Sequence, residues 1–222
     1  MSVTPPEAPK HCPLCPRLVA YREEIAAQEP AWFNGAVPSF APANENDEVR
    51  LLIIGLAPGR TGANRTGRPF TGDWAGDLLY GSLLRLGLAA GEYDKRHDDS
   101  LTLKNTMITN AVRCVPPENK PVGAEINSCR PFLLSRIESL PNLRTLLCLG
   151  KIAHDTTLRA LGQRVAGMPF GHDTDYSIEN NGRVLRLRSS YHCSRYNTST
   201  GRLTEAMFDN VVGKCAADVQ AA

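Results

Sequence analysis

Four side chains of this sequence could together act on a ligand: the ring of Phe70, the carboxylate of Asp73, the amide of Asn110 and the imidazole of His192. Phe70 and Asp73 close the stretch LLIIGLAPGRTGANRTGRPFTGD, residues 51–73, in which a continuous apolar run stops at Gly55. The loop that follows carries Gly59, Gly62, Gly67 and Gly72 with Arg60, Arg65 and Arg68. Asp73 is the only acidic residue between Leu51 and Gly76. Glycines let backbone N–H groups approach a ligand, and arginines suit phosphate. Each residue has a plainer use: Asp73 as a helix cap, Asn110 as a partner for strand-end backbone, His192 as a structural histidine. Jointly, a carboxylate, an amide, an imidazole and an exposed aromatic beside basic loops describe a nucleobase pocket. The ring would stack on the base and the amide would read its edge through two hydrogen bonds. No Walker lysine is present and no GxGxxG opens a helix, so nucleoside-triphosphate and dinucleotide readings fall.

These groups must be held by a folded frame, and 222 residues are enough for one domain with a full core. No apolar run approaches the roughly 18 residues of a membrane span, and none resembles a signal peptide, so a cytoplasmic protein is expected. The net charge of +2 says little, but its distribution says more. Arg183, Arg186, Arg188, Arg195 and Arg202 fall in a segment without acids, whereas residues 92–99 are acid-rich. Two basic loops on one sheet edge would form an anion-binding face; the plainer alternative is a solvated surface.

Strands are expected over residues 49–54, 106–112, 144–149 and 184–189. Helices are expected over 17–28, from the Asp73 cap to about 86, over 150–161, and after a Thr204 cap. Residues 29–48 and the glycine-rich stretch before the last strand read as irregular. A helical pattern runs through Val122, Ile126, Cys129, Leu133, Ile137 and Leu140, with Pro131 as a kink or the true start. Alternating strands and helices predict a three-layer α/β/α sandwich around a mostly parallel four-stranded sheet.

Seven cysteines without an export signal argue against a disulfide framework. Cys12 and Cys15 form a C-x2-C chelate half-site, and Cys114 with Cys129 could complete four sulfur ligands. Spacing alone leaves zinc, an iron–sulfur cluster and plain buried thiols open. Cys148 and Cys215 fall at core positions, whereas Cys193 sits in a polar loop.

At these residues the chain resembles the uracil-DNA glycosylase superfamily, above all its iron–sulfur branch, family 5. GLAPG…GANRTGRPFTGD resembles the family's first motif, TNAVRCVPPENKP its central segment and YHxSxxNTxTGRLT its last. The cysteine quartet matches in order, over roughly residues 12–212. The resemblance implies a prokaryotic, nucleoid-associated, monomeric repair enzyme. It would remove uracil, and by extension hypoxanthine and other deaminated bases, from double- and single-stranded DNA.

It further implies a 4Fe–4S cluster on Cys12, Cys15, Cys114 and Cys129 that staples residues 1–30 to the sheet. Gly55, Leu56, Ala57, Pro58 and Gly59 would meet the base with Phe70 and Asn110. Asp73 would stabilise positive charge on the sugar or orient water, and His192 would stabilise the departing base. Arg60, Arg65, Arg68, Ser194, Arg195, Tyr196, Asn197 and Arg202 would hold DNA, with residues 194–197 pressing into the minor groove. One departure stands out: the family's His-Pro-Ser is here His192-Cys193-Ser194, which removes a backbone restraint and adds a thiol expected to be reactive. The competing reading is a non-catalytic iron–sulfur or zinc module that binds nucleic acid.

Overall fold

The apolar run before the glycine loop forms a strand buried on both faces, as a central parallel strand must be. In the computed structural model, which describes residues 5–220, helix α1 (Pro16–Gln28) and a short α2 (Glu45–Glu48) precede this strand, β1 (Leu51–Gly55). The chain continues through α3 (Ala63–Thr66), α4 (Trp74–Arg85), a two-residue pair β2 (Ala89–Ala90) and β3 (Thr102–Leu103), and β4 (Thr106–Asn110). It then forms α5 (Gly123–Glu138), β5 (Thr145–Leu149), α6 (Lys151–Ala160), β6 (Thr174–Asn180), β7 (Arg183–Ser190), α7 (Arg195–Ser199) and α8 (Glu205–Gln220).

The main sheet has the order β4-β1-β5-β7-β6, parallel except for the antiparallel β6–β7 pair. Alternate residues of β1 serve opposite layers. Leu51 and Ile53 pack with Leu79 and Leu83 of α4 and with Phe208 and Val212 of α8. Leu52 and Ile54 pack with Leu133 and Ile137 of α5 and Leu158 of α6. Each such burial contributes about 1.5–3 kcal/mol. The three-layer sandwich is therefore as expected, but the sheet has five strands rather than four.

The fifth strand, β6, occupies the stretch read as irregular. It is an edge strand in which Ile178 alone is buried, so it lacks the apolar pattern of the central strands. Its signal lay in the turn: Asn181 and Gly182 both adopt positive φ, as a two-residue hairpin requires. Helix α5 starts at Gly123 and contains Pro131, so the proline does not mark its beginning.

The segment before α1 is tied down by charge. Glu7 pairs with Arg113 at 3.0 Å and with Arg136 at 2.5 Å, and Arg17 of α1 pairs with Glu125 of α5 at 2.7 Å. The staple expected over residues 1–30 thus includes ion pairs; residues 1–4 lie outside the described residues.

Arg68 departs from expectation. Its guanidinium is buried, donates to both oxygens of Asp99 at 2.7 Å and to Thr71 Oγ1 at 2.8 Å, and lies over the rings of Phe40 and Tyr80. It pins the acid-rich segment to the glycine loop and has no face left for DNA. Arg68→Met should cost about 3–5 kcal/mol in denaturant unfolding by stranding Asp99, and the Arg68→Met/Asp99→Leu pair should recover much of it. An Arg68→Met protein of unchanged stability but weakened DNA affinity would return the residue to the phosphate-binding set.

Candidate active site

β1 and β4 end level with one another, Gly55 opposite Asn110. A Cβ placed on Gly55 would lie 2.5 Å from Asn110 Oδ1 and 2.6 Å from Phe70 Cζ, so glycine is what lets the amide and the ring share that space. Phe70 holds a left-handed backbone, φ 53°, and its carbonyl accepts from Tyr93 Oη at 3.2 Å. Its ring stacks on His192 with centroids 5.9 Å apart. The ring is buried, not exposed as the sequence suggested. Asn110 is also buried as a residue, yet its amide is not sealed off: the buried side-chain atoms left unpaired belong to other residues.

Asp73 does two jobs at once. Its Oδ1 caps α4, accepting from the N–H groups of Ala75 at 3.1 Å and Gly76 at 3.3 Å. Its Oδ2 turns toward Gly59 and Gly62, where a Cβ would come within 3.3 and 2.5 Å of it. Burial raises its pKa, partly offset by the two backbone donors.

His192 follows β7 on a loop secured by Asn197, whose Nδ2 donates to the His192 carbonyl at 2.8 Å. Burial pushes the imidazole down to about 4, so it is neutral at neutral pH. Neither ring nitrogen has a hydrogen-bond partner among the described residues. It can therefore present an N–H to a developing anion without carrying charge itself.

One cleft joins Asp73 and His192 with Leu56, Ala57, Gly59 and Asn119, bordered also by Arg60, Trp74, Ser194 and Arg195. Gly55, Phe70 and Asn110 lie behind it through the Gly55 contacts and the Phe70–His192 stack. Pro58 is buried outside the cleft lining. Asn119 and Trp74 were missed by the sequence reading. Asn119 follows β4 with a positive φ and sets its amide across Gly59 from Asp73; the polar turn VPPENKP was its only signal.

The arginines and the last loop divide. Arg60 and Arg195 are exposed at the cleft; Arg65 and Arg202 are exposed away from it, Arg202 over the Tyr191 ring. Tyr196 is 72% exposed at the start of α7. Ser194 and Asn197, expected at DNA, spend their polar groups on the loop: Ser194 Oγ caps α7 and Asn197 holds His192. Cys193 is fully buried among the core residues of the α4–α8 side, and burial pushes its thiol up. The reactive thiol expected there is therefore corrected: a buried neutral thiol is inert. Cys148 and Cys215 are buried as expected.

Cys12, Cys15, Cys114 and Cys129 line a single small cavity walled by Leu18, Val112 and Phe132. The N–H of Arg113 donates to Cys129 Sγ at 3.3 Å and Arg22 Nη1 to Cys114 Sγ at 3.2 Å. Donors aimed at sulfur suit thiolate ligands. Among the described residues, no three Cys, His, Asp or Glu side chains are grouped as a single ion requires.

The fold and cleft define an α/β protein with its ligand site at the carboxyl edge of a mostly parallel sheet. The chain belongs to the uracil DNA glycosylase superfamily, which residues 42–215 match. It is 42% identical over 207 residues to the type-5 uracil-DNA glycosylase of Thermus thermophilus, covering 90% of each chain. It is 40% identical to the type-5 enzyme of Mycobacterium bovis, over 90% of this chain and 75% of that one. To the type-5 enzyme of Pyrobaculum aerophilum it is 34% identical, over 94% and 89%.

The crowding at Gly55 gives a direct test. Gly55→Ala should cost about 1–3 kcal/mol by overpacking, measured by thermal or denaturant unfolding. A variant of wild-type stability would show that Phe70 and Asn110 are not held against the strand end.

Proposed function

We propose that this chain is a monofunctional uracil-DNA glycosylase of DNA repair that works as a one-domain monomer, taking uracil and also hypoxanthine out of the base stack. The observation that carries the reading is the convergence of the Asn110 amide, at the end of β4 and against Gly55 and Phe70, with a neutral imidazole and a carboxylate. A base edge offers the donor and acceptor that such an amide reads through two hydrogen bonds. Phe70, buried in the free protein, backs His192 and meets the base as the nucleotide enters. Arg60 and Arg195 take the flanking phosphates, with Arg65, Arg202 and Tyr196 further along the DNA.

Hydrolysis breaks the sugar–base bond with its electron pair leaving on the base. The sugar becomes oxocarbenium-like at C1′, and water adds there and loses a proton. Asp73 Oδ2 places a fixed negative charge against the sugar, and the His192 N–H meets the anionic base. No covalent nucleophile is needed. The four cysteines of the small cavity hold a 4Fe–4S cluster, which when bound supplies a structural staple for the N-terminal segment.

His192→Ala should lower single-turnover excision from a deoxyuridine duplex by two to three orders of magnitude, since one such donor is worth about 2.7–4 kcal/mol. Asp73→Asn keeps the cap and loses the charge. It should fold normally and be slow, whereas full activity would reduce Asp73 to a cap.

The pH profile follows from the same groups. His192, lowered to about 4, stays neutral across neutrality, so no inflection should appear near pH 6.5. Asp73, raised by burial, should set a fall on the acid side at a higher pH than an unperturbed aspartate would, and that limb should vanish from the residual activity of Asp73→Asn. An inflection near 6.5 that is lost in His192→Ala would make the imidazole a charged participant.

Duplexes carrying uracil or hypoxanthine, treated with enzyme and then alkali, should break at the lesion. Intact DNA across both would favour the non-catalytic module. The purified protein should be brown with iron near four per chain, and Cys129→Ser should lose both; zinc in a colourless protein would replace the cluster.

A further inference from the structure

Trp74 directly follows Asp73 and is 52% exposed, the largest side chain so displayed at the cleft. It borders the Asp73–His192 cleft on one side and a second cleft, with Leu78 and Leu203, on the other. Two contacts orient the indole. Its Nε1 donates to Thr198 Oγ1 at 3.0 Å, and the Arg195 guanidinium lies 5.6 Å from the ring. An indole held by its edge, with Arg195 over its ring and half of its surface still open to solvent, offers an aromatic surface for stacking.

The charges around the second cleft say what that partner is not. Its cation Arg85 pairs with Glu205 and Asp209, and its Asp77 pairs with Lys95. Arg60 and Arg195, which form no ion pair among the described residues, line the Asp73–His192 cleft, with Arg195 over the indole ring. A phosphate belongs on the Arg60–Arg195 side; an uncharged aromatic surface belongs against Trp74.

We propose that Trp74 is a stacking platform for the nucleobase that neighbours the extruded nucleotide, and so tunes excision to sequence context. This rests on the glycosylase reading above. When a base leaves the stack, its neighbour loses a stacking face, and that bare face is apolar. The sugar at C1′ must come to Asp73 Oδ2, and Trp74 lines the same cleft, within reach of the adjoining nucleotide. Stacking is tolerant of base identity but stronger for purines, whose rings cover more of the indole.

The experiment measures binding and single-turnover excision on uracil duplexes with a purine or a pyrimidine beside the lesion. Trp74→Ala should weaken binding by roughly 5- to 150-fold and abolish the preference for a purine neighbour. Trp74→Phe should keep most of both. Binding to a duplex with a stable abasic analogue should quench tryptophan fluorescence in the wild type and not in Trp74→Phe. If Trp74→Ala keeps wild-type affinity and context dependence, the platform is overturned. A wild-type protein that leaves uracil in every duplex would instead overturn the glycosylase reading itself.

Discussion

Parallel pairing with level strand ends is the constraint on which the rest of this structure depends. β1 hydrogen-bonds to β4 on one side and β5 on the other, and β5 to β7. Gly55 stands opposite Asn110, and Leu149 opposite Ser190. Loops that leave these ends must therefore emerge at one edge, although Asp73, Asn119 and His192 are far apart in the chain. Parallel pairing also forces burial on both faces, which explains why β1 reads as unbroken aliphatic residues. Gly55 adds a local condition, because the space where its side chain would stand is taken by Phe70 and Asn110.

The electrostatics of the cleft follow from burial more than from charge pairing. Burial keeps the His192 imidazole neutral and lifts the Asp73 carboxyl, while two backbone N–H groups hold Asp73 in place. Cap and cleft residue looked like alternatives; the carboxylate has two oxygens, one capping α4 and the other turned toward Gly59 and Gly62. The arginines sort by the same logic. Arg68 is locked to Asp99 and serves the fold, whereas Arg60 and Arg195 stay at the cleft.

The N-terminal segment is held by a different chemistry. It carries two of the four cysteines and reaches the sheet through Glu7, whose carboxylate meets Arg113 and Arg136. Arg113 thereby links both tethers, since its N–H also donates to Cys129. Where the family resemblance leads one to expect a proline after His192, the chain has Cys193, which the core absorbs as a small apolar residue. The Asn197 bond to the His192 carbonyl helps hold the loop that the missing proline would have stiffened.

By itself the sequence determined the alternating strands and helices, the Asp73 cap and the Cys12–Cys15 pair, because periodicity, capping and close spacing are local properties; the fold brought Cys114 and Cys129 to that pair. It also pointed to Asp73, Asn110 and His192, through side-chain types that are costly to place at strand ends without a use. Only the tertiary structure decided which of these face the cleft and which stand behind it. It moved Arg68 and Cys193 into the interior, turned Ser194 and Asn197 to loop support, and brought Asn119 and Trp74 to the site. It also supplied the edge strand β6, whose pattern is weak because one of its faces meets water. Burial and the pairing of charges depend on neighbours distant in the chain. Residue type and spacing do not encode them.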